Sequence, residues 1–215
     1  MIEFIISLTK GFFLGFSVYS LSIFLDDYLS SNSKKKLLEN DKELFKKAIL
    51  ANKINLLCIS PLVYSFIDIL FLNHDLLFSL FDYFILLLIH NLGYFFVHKE
   101  MHRNKILKKI HYFHHNFDKI LIPSIGNAVS KSEFILAYVL PFILGSILIH
   151  PTEITFVSSI GTISILNMII HTNEFKDTYW IFGFVSPKDH MQHHEIRNKN
   201  YSAPLVNLDL FLNSE

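Results

Sequence analysis

Apolar positions in this chain gather into long runs. They cover about Phe12 to Leu25, Ile54 to Leu72, Leu77 to Val97, Phe134 to Ile149 and Ile154 to Ile170. A helix needs roughly 20 mostly apolar residues to cross the hydrocarbon of a bilayer. The second and third runs meet that length. The first does so only by including Phe4 to Leu8, beyond Lys10. The fourth and fifth are shorter and are separated only by His-Pro-Thr-Glu, so they form a tight pair that spans obliquely or dips in and returns. The pattern predicts an all-α integral membrane protein with four to five transmembrane helices. No basic stretch precedes the first run and no small-residue cleavage pattern follows it, so a retained helix is expected rather than a cleaved signal.

The polar segments between the runs are of two kinds. Lys34, Lys35, Lys36, Lys42, Lys46 and Lys47 lie between the first and second runs. Lys99, Arg103, Lys105, Lys108, Lys109 and Lys119 follow the third, and Lys176, Lys188, Arg197 and Lys199 follow the fifth. The alternate linkers, Asn-His-Asp and His-Pro-Thr-Glu, carry no basic residue. Basic residues stay on the cytoplasmic side, so the N-terminus is expected outside and the three basic segments in the cytosol. Lys10 is the exception and is expected to snorkel to the outer interface. The organisation that follows is a single membrane domain, 1–215: N-terminal transmembrane helices (1–97), a first cytosolic histidine region (98–131), a membrane hairpin (132–170) and a second cytosolic histidine region (171–215). The two cytosolic regions would form a helical cap.

Composition narrows the chemistry. Lys and Arg total 19 against 19 Asp and Glu, which gives no reason to expect a nucleic-acid partner. The single cysteine, Cys58, rules out a disulfide framework and a thiolate zinc site. Histidine is the outlier, with 12 residues. Nine fall in a pattern: His98 and His102 in HxxxH, His111, His114 and His115 in HxxHH, His190, His193 and His194 in a second HxxHH, and His171 at the exit of the fifth run. All lie on the side that the lysines mark as cytosolic.

Positions i, i+3 and i+4 share one face of a helix, so each cluster should present its rings in one direction, as metal ligation requires. His102 and His111 are nine residues apart and would point about 180° apart on one straight helix. The chain must therefore bend within Arg103 to Ile110, with one helix ending near Arg103–Asn104 and a new one carrying His111 to His115. A lone histidine is more often a surface residue; three such clusters are not explained that way. Nine imidazoles exceed the needs of one ion, and imidazole suits Zn, Cu, Fe and Ni. Glu100, Glu174, Asp189 and Glu195 are near enough in sequence to orient ligand N–H groups, and read equally well as solvated charges. His90, about 12 Å along the helix from His98, is either functional or hydrogen-bonded to a neighbouring helix. His74, His150, Asp68 and Asp82 fall toward the outer side. There the histidines are not expected to be ligands and the aspartates are expected to be solvated.

HxxxH, HxxHH, a membrane hairpin, HTN and a second HxxHH, in this order, resemble the fatty acid hydroxylase superfamily, also called the sterol desaturase family. The resemblance covers about Asn91 to Phe211. "LKKIHYFHH" and "NKNYSAPLVNLDLF" are similar to smaller family motifs, with Lys108 at a tyrosine position and Leu208 in place of the usual tryptophan before Asp209. Asn91 stands where many members have Asp, and Phe95 and Phe96 where Tyr and Trp are frequent. The resemblance implies an O2-dependent di-iron hydroxylase or desaturase acting on a C–H bond of a fatty acyl, sterol or related lipid. It implies metal ligation by His98, His102, His111, His114, His115, His171, His190, His193 and His194. It also implies two iron ions, with zinc a substitute in purified protein, and an external electron donor of cytochrome b5 or ferredoxin type. Lys105, Lys108 and Lys109 could dock an acidic donor, although ordinary cytoplasmic lysines account for them better. The competing reading is a metal-ion binding or transport protein. Transporters place their ligands near the bilayer midplane, whereas these clusters lie just past helix ends.

Overall fold

The structure, a computed structural model, describes residues 1–212. Its elements are α1 (Ile2–Tyr28), α2 (Ser31–Asn40), α3 (Lys42–Phe71), α4 (Leu80–Arg103), α5 (Lys105–His111), α6 (Lys131–Ile149), α7 (Glu153–Ile170), α8 (Pro187–Ile196) and α9 (Asp209–Leu212). No strand forms among the described residues; Asn73–Thr152 and Phe184–Val206 are isolated bridges. The all-α expectation holds at its upper count, because α1, α3, α4, α6 and α7 are each long and apolar enough to cross a membrane. The fourth and fifth runs are complete helices. Ser130 caps α6 four residues before the apolar run begins, and Thr152 caps α7 at once after the tight turn.

Two spans are locally widened. Ile54–Ile59 in α3 and Phe134–Val139 in α6 are π-helical. Each is followed within two residues by a proline, Pro61 or Pro141, which has no backbone N–H to give the preceding turn.

Apolar side chains gain little by leaving lipid for one another, so close backbone approach holds membrane helices together. The inward side of α1 shows this: Ser7, Gly11, Gly15, Val18, Ser22 and Asp26 are its buried residues, while Phe13, Phe16 and Phe24 face outward. Gly15 lies so near α3 that an added Cβ would stand 1.9 Å from the Leu56 carbonyl oxygen. Between α3, α4, α6 and α7 the core is Tyr64, Ile67, Leu86, Leu87, Phe142, Phe156 and Ile163.

At one end of the bundle the segment 121–129 is irregular yet buried. Backbone polar groups in such a place need partners, and side chains of three spans supply them. Asp26 accepts from Ser124 N–H at 2.8 Å; Asn52 donates to the Ser124 carbonyl at 2.7 Å; Asn55 donates to that of Val129 at 2.9 Å; Asn167 donates to that of Gly126 at 2.8 Å. This strap forms the floor on which the histidine clusters assemble.

Candidate metal centre

Local sequence decides how each histidine arrives. His98 and His102 end α4. Asn104 then stops α4 and caps α5, its side-chain oxygen accepting from Ile106 and Leu107 N–H. The expected break is therefore present at the expected residue. The expected single helix over His111 to His115 is not. α5 ends at His111, the chain turns through Tyr112 and Phe113, and His114–Asn116 is a 3-10 turn. His171 terminates α7. Ser186 and Asp189 form a reciprocal capping box that starts α8 and so sets the directions of His190, His193 and His194.

All nine histidines meet at this end of the bundle, in two groups. His98, His102, His111, His115 and His193 offer nitrogens that all lie within 4.8 Å of one another; so do His114, His171, His190 and His194. The motifs are interleaved between the groups, which corrects the expectation that each cluster faces one way. Adjacent His114 and His115 belong to different groups, and α8 sends His193 to one and His190 and His194 to the other.

The spacing fits ions. Two ligands about 2.1 Å from one ion stand about 3.0 Å apart at a right angle and about 3.4 Å apart at the tetrahedral angle. In the first group the Nε2 separations are 3.0 Å for His98–His111, 3.3 Å for His98–His102, 3.2 Å for His102–His115 and 3.2 Å for His115–His193. In the second they are 2.9 Å for His171–His190 and 3.3 Å for His114–His171.

Hydrogen bonding between rings does not account for the His98–His111 contact. The Nδ1 of His98 faces the Tyr201 carbonyl at 2.7 Å, that of His193 the Lys199 carbonyl at 2.8 Å, that of His171 the Asn167 carbonyl at 2.7 Å, and that of His111 the Glu133 carboxylate at 2.6 Å. A backbone carbonyl and an ionised carboxylate only accept, so each Nδ1 carries the proton and, in a neutral ring, each Nε2 carries a lone pair. His98, His111 and His193 thus present three lone pairs within 4.8 Å of one another, an arrangement that suits a cation. Burial holds the imidazolium forms of His111, His114, His115, His190, His193 and His194 far below the usual histidine range, with neighbouring imidazoles adding to the effect. His171 is pulled down to about 4, also by burial. Neutral rings are the ligand form.

Glu133 is the orienting carboxylate, buried at the first turn of α6. Of the four carboxylates considered from sequence, none hydrogen-bonds a cluster histidine. Glu174 accepts from Ser30 and Ser33, Asp189 completes the α8 cap, and Glu100 and Glu195 face solvent. The signal for Glu133 was present as Ser130-x-x-Glu133, a helix-start pattern. Tyr201 was legible only as part of a motif; its ring packs 5.3 Å from His102 and 5.8 Å from His193.

His90 joins neither group. At the opposite end of the bundle, Asp68 is buried rather than solvated. It accepts from Ser7, with Lys10 3.9 Å away, and Lys10 itself is 2.7 Å from Glu153. Lys10 is thus ion-paired at this end. Asp82 sits in the first turn of α4, its N–H bound by the Ser79 cap. His150 bonds the Phe71 carbonyl and exposed His74 lies beside Asp68 and Glu153.

A family model described as fatty acid hydroxylase matches residues 83–214. The chain belongs to the fatty acid hydroxylase family. No curated protein and no solved structure matches it significantly. The matched region begins in α4 and takes in all nine histidines and Glu133; α1, α2 and α3 precede it. Membership makes the chain an oxidoreductase of the lipid-modifying, oxygenase type.

Proposed function

We propose that this fatty acid hydroxylase family member uses O2 and two irons to hydroxylate or desaturate a C–H bond of a lipid at the cytosolic face of a membrane. The observation that carries the reading is the division of nine histidines, eight buried and His102 half-buried, into a group of five and a group of four, with lone pairs close together in the first. His98, His102, His111, His115 and His193 would hold one ion; His114, His171, His190 and His194 would hold the other. Two irons held there would supply O2 activation, with electrons from an external donor of cytochrome b5 or ferredoxin type.

The chain's own residues prepare that chemistry. Glu133 and the carbonyls of Tyr201, Lys199 and Asn167 hold protons on Nδ1 and so fix four rings in the tautomer that ligates through Nε2. Burial keeps water from the rings. The apolar spans admit the lipid from the bilayer, and the lysine-rich face, with Lys105, Lys108 and Lys109 exposed, lies on the same side for a donor. A transport function would call for ligands near the midplane; these groups gather at one end of the spans.

Protein purified from iron-replete cells should carry about two irons per chain and consume O2 with lipid and reductant. Iron-free protein from such cells, or unchanged turnover in His114→Ala, would refute the reading.

A further inference from the structure

Beneath the metal centre, within the spans, lies a cavity of about 80 Å3 bordered by His90, Asn127, Tyr64, Tyr138, Phe142 and Phe156 among others. At about 10–15 Å3 for each water-sized position, it has room for a polar group with a few attached carbons. Its walls include residues of both π-helical segments, Leu56 from one and Phe134, Tyr138 and Val139 from the other. The widened turns before Pro61 and Pro141 therefore border the space.

Some polar groups on this wall have partners, and half-buried Ser60 and Ser164 place two further hydroxyls on it. Tyr64 donates to Glu153 and Tyr138 to the Gly126 carbonyl. Two buried side chains do not. His90 is fully buried; its ring packs 4.4 Å from that of Phe142, approaches the Tyr138 backbone carbonyl, and makes no well-formed hydrogen bond at either nitrogen. The Tyr138 carbonyl can serve one nitrogen only, and only as its acceptor, which leaves the other nitrogen a free lone pair. Asn127 is 6% exposed, and its Nδ2 donor has no partner. An unpaired polar group in an apolar interior is costly. Both residues border one cavity, and they are of opposite sense, one an acceptor and one a donor. A hydroxyl offers what each lacks, a donor for His90 and an acceptor for Asn127. A hydrocarbon satisfies neither, and an ether satisfies only Asn127.

We propose that this cavity is a binding subsite for a lipid hydroxyl, read by His90 and Asn127, so that the lipid this protein accepts is an alcohol. The proposal rests on the lipid-oxidation reading for the purpose of the subsite, but not for its test. His90 stands about 12 Å along α4 from His98, with Tyr94 between them, stacked 6.4 Å from His90 and tilted 5.1 Å from His98. It reads the lipid away from the metal ligands.

The test uses the full chain, as purified with its metal, in lipid nanodiscs. Discs are equilibrated with equal amounts of 1-hexadecanol and its methyl ether, and the retained probe is quantified by mass spectrometry against empty discs. Wild type should retain the alcohol at least about tenfold over the ether, equivalent to about 1.4 kcal/mol. His90→Phe and Asn127→Leu should each bring the ratio close to one, while His90→Gln, which keeps an acceptor, should restore part of it. Thermal unfolding of each variant shows that it is folded. No preference in wild type, whether from equal retention or from none, overturns the proposal, as does a preference that survives in a folded His90→Phe. Iron content and O2 uptake of the same samples report on the oxidation reading separately, so failure of one is distinct from failure of the other.

Discussion

The Nδ1 of His111 lies 2.6 Å from a carboxylate oxygen of Glu133, and both residues are about 1% exposed. This pair ties the first turn of α6 to the histidine cluster and sets the proton of His111 on the side away from its four partners. Outer carboxylates of this kind are worth about 10–100-fold in metal affinity. Glu133→Leu should therefore lower iron affinity by that order, and Glu133→Gln, whose carbonyl still accepts from Nδ1, by less. Competition with a chelator of known affinity measures it. Equal affinity in Glu133→Leu and wild type would remove Glu133 from the site.

Adjacent histidines should lose different ions. His115 belongs with His98 and His102, and His114 with His171 and His190. Each of His114→Ala and His115→Ala should bind about one iron fewer, with the remaining iron in distinct surroundings. Metal analysis with Mössbauer spectra of the two variants checks this. Identical spectra from the two variants would contradict the division into groups.

Gly15 admits no side chain. The Cβ of Gly15→Ala would meet the Leu56 carbonyl at 1.9 Å, so α1 must shift from α3. Overpacking of this kind costs about 1–3 kcal/mol or more. Gly161, where an added Cβ meets nothing within 4 Å, is the control. Thermal unfolding in detergent should fall by several degrees for Gly15→Ala and remain unchanged for Gly161→Ala.

Lys10 is the cation between Glu153 and buried Asp68. Lys10→Met should destabilise the protein, because removing one partner leaves the buried carboxylate uncompensated. The lysine is partly solvated, so screening keeps the loss toward the low end, about 1 kcal/mol. Asp68→Asn added to Lys10→Met should recover part of it. Independent, additive losses in the double variant would show that the two residues are not coupled.

Much of this fold was legible in the chain. Runs of apolar residues located the spans, since only a helix satisfies its own backbone in lipid. The Arg103–Asn104 break followed from helical geometry and the His102–His111 spacing. The nine histidines were identified from spacing and from family resemblance. Less visible were the helix–helix seam at Gly11 and Gly15, the buried Asp26, Asn52, Asn55 and Asn167 that hold the strap, and Glu133. Each acts on a residue distant in sequence, and a single-chain periodicity carries no information about its partner. Asp68 was misjudged for the same reason: near the membrane edge solvation is the ordinary state, and only packing of α1 against α3 buries it.

Local pattern thus specified the helices, their ends and the residue types available for metal, because hydropathy period, caps and spacing act within a few residues. Which nitrogens gather together, and which carboxylate meets the His111 ring, depended on long-range packing. The 3-10 turn at His114 and the seat of α8 between the two groups rotate neighbouring rings apart, and contacts across 22 to 103 residues of chain then fix them. The same packing left His90 beside a cavity, outside both groups of histidines.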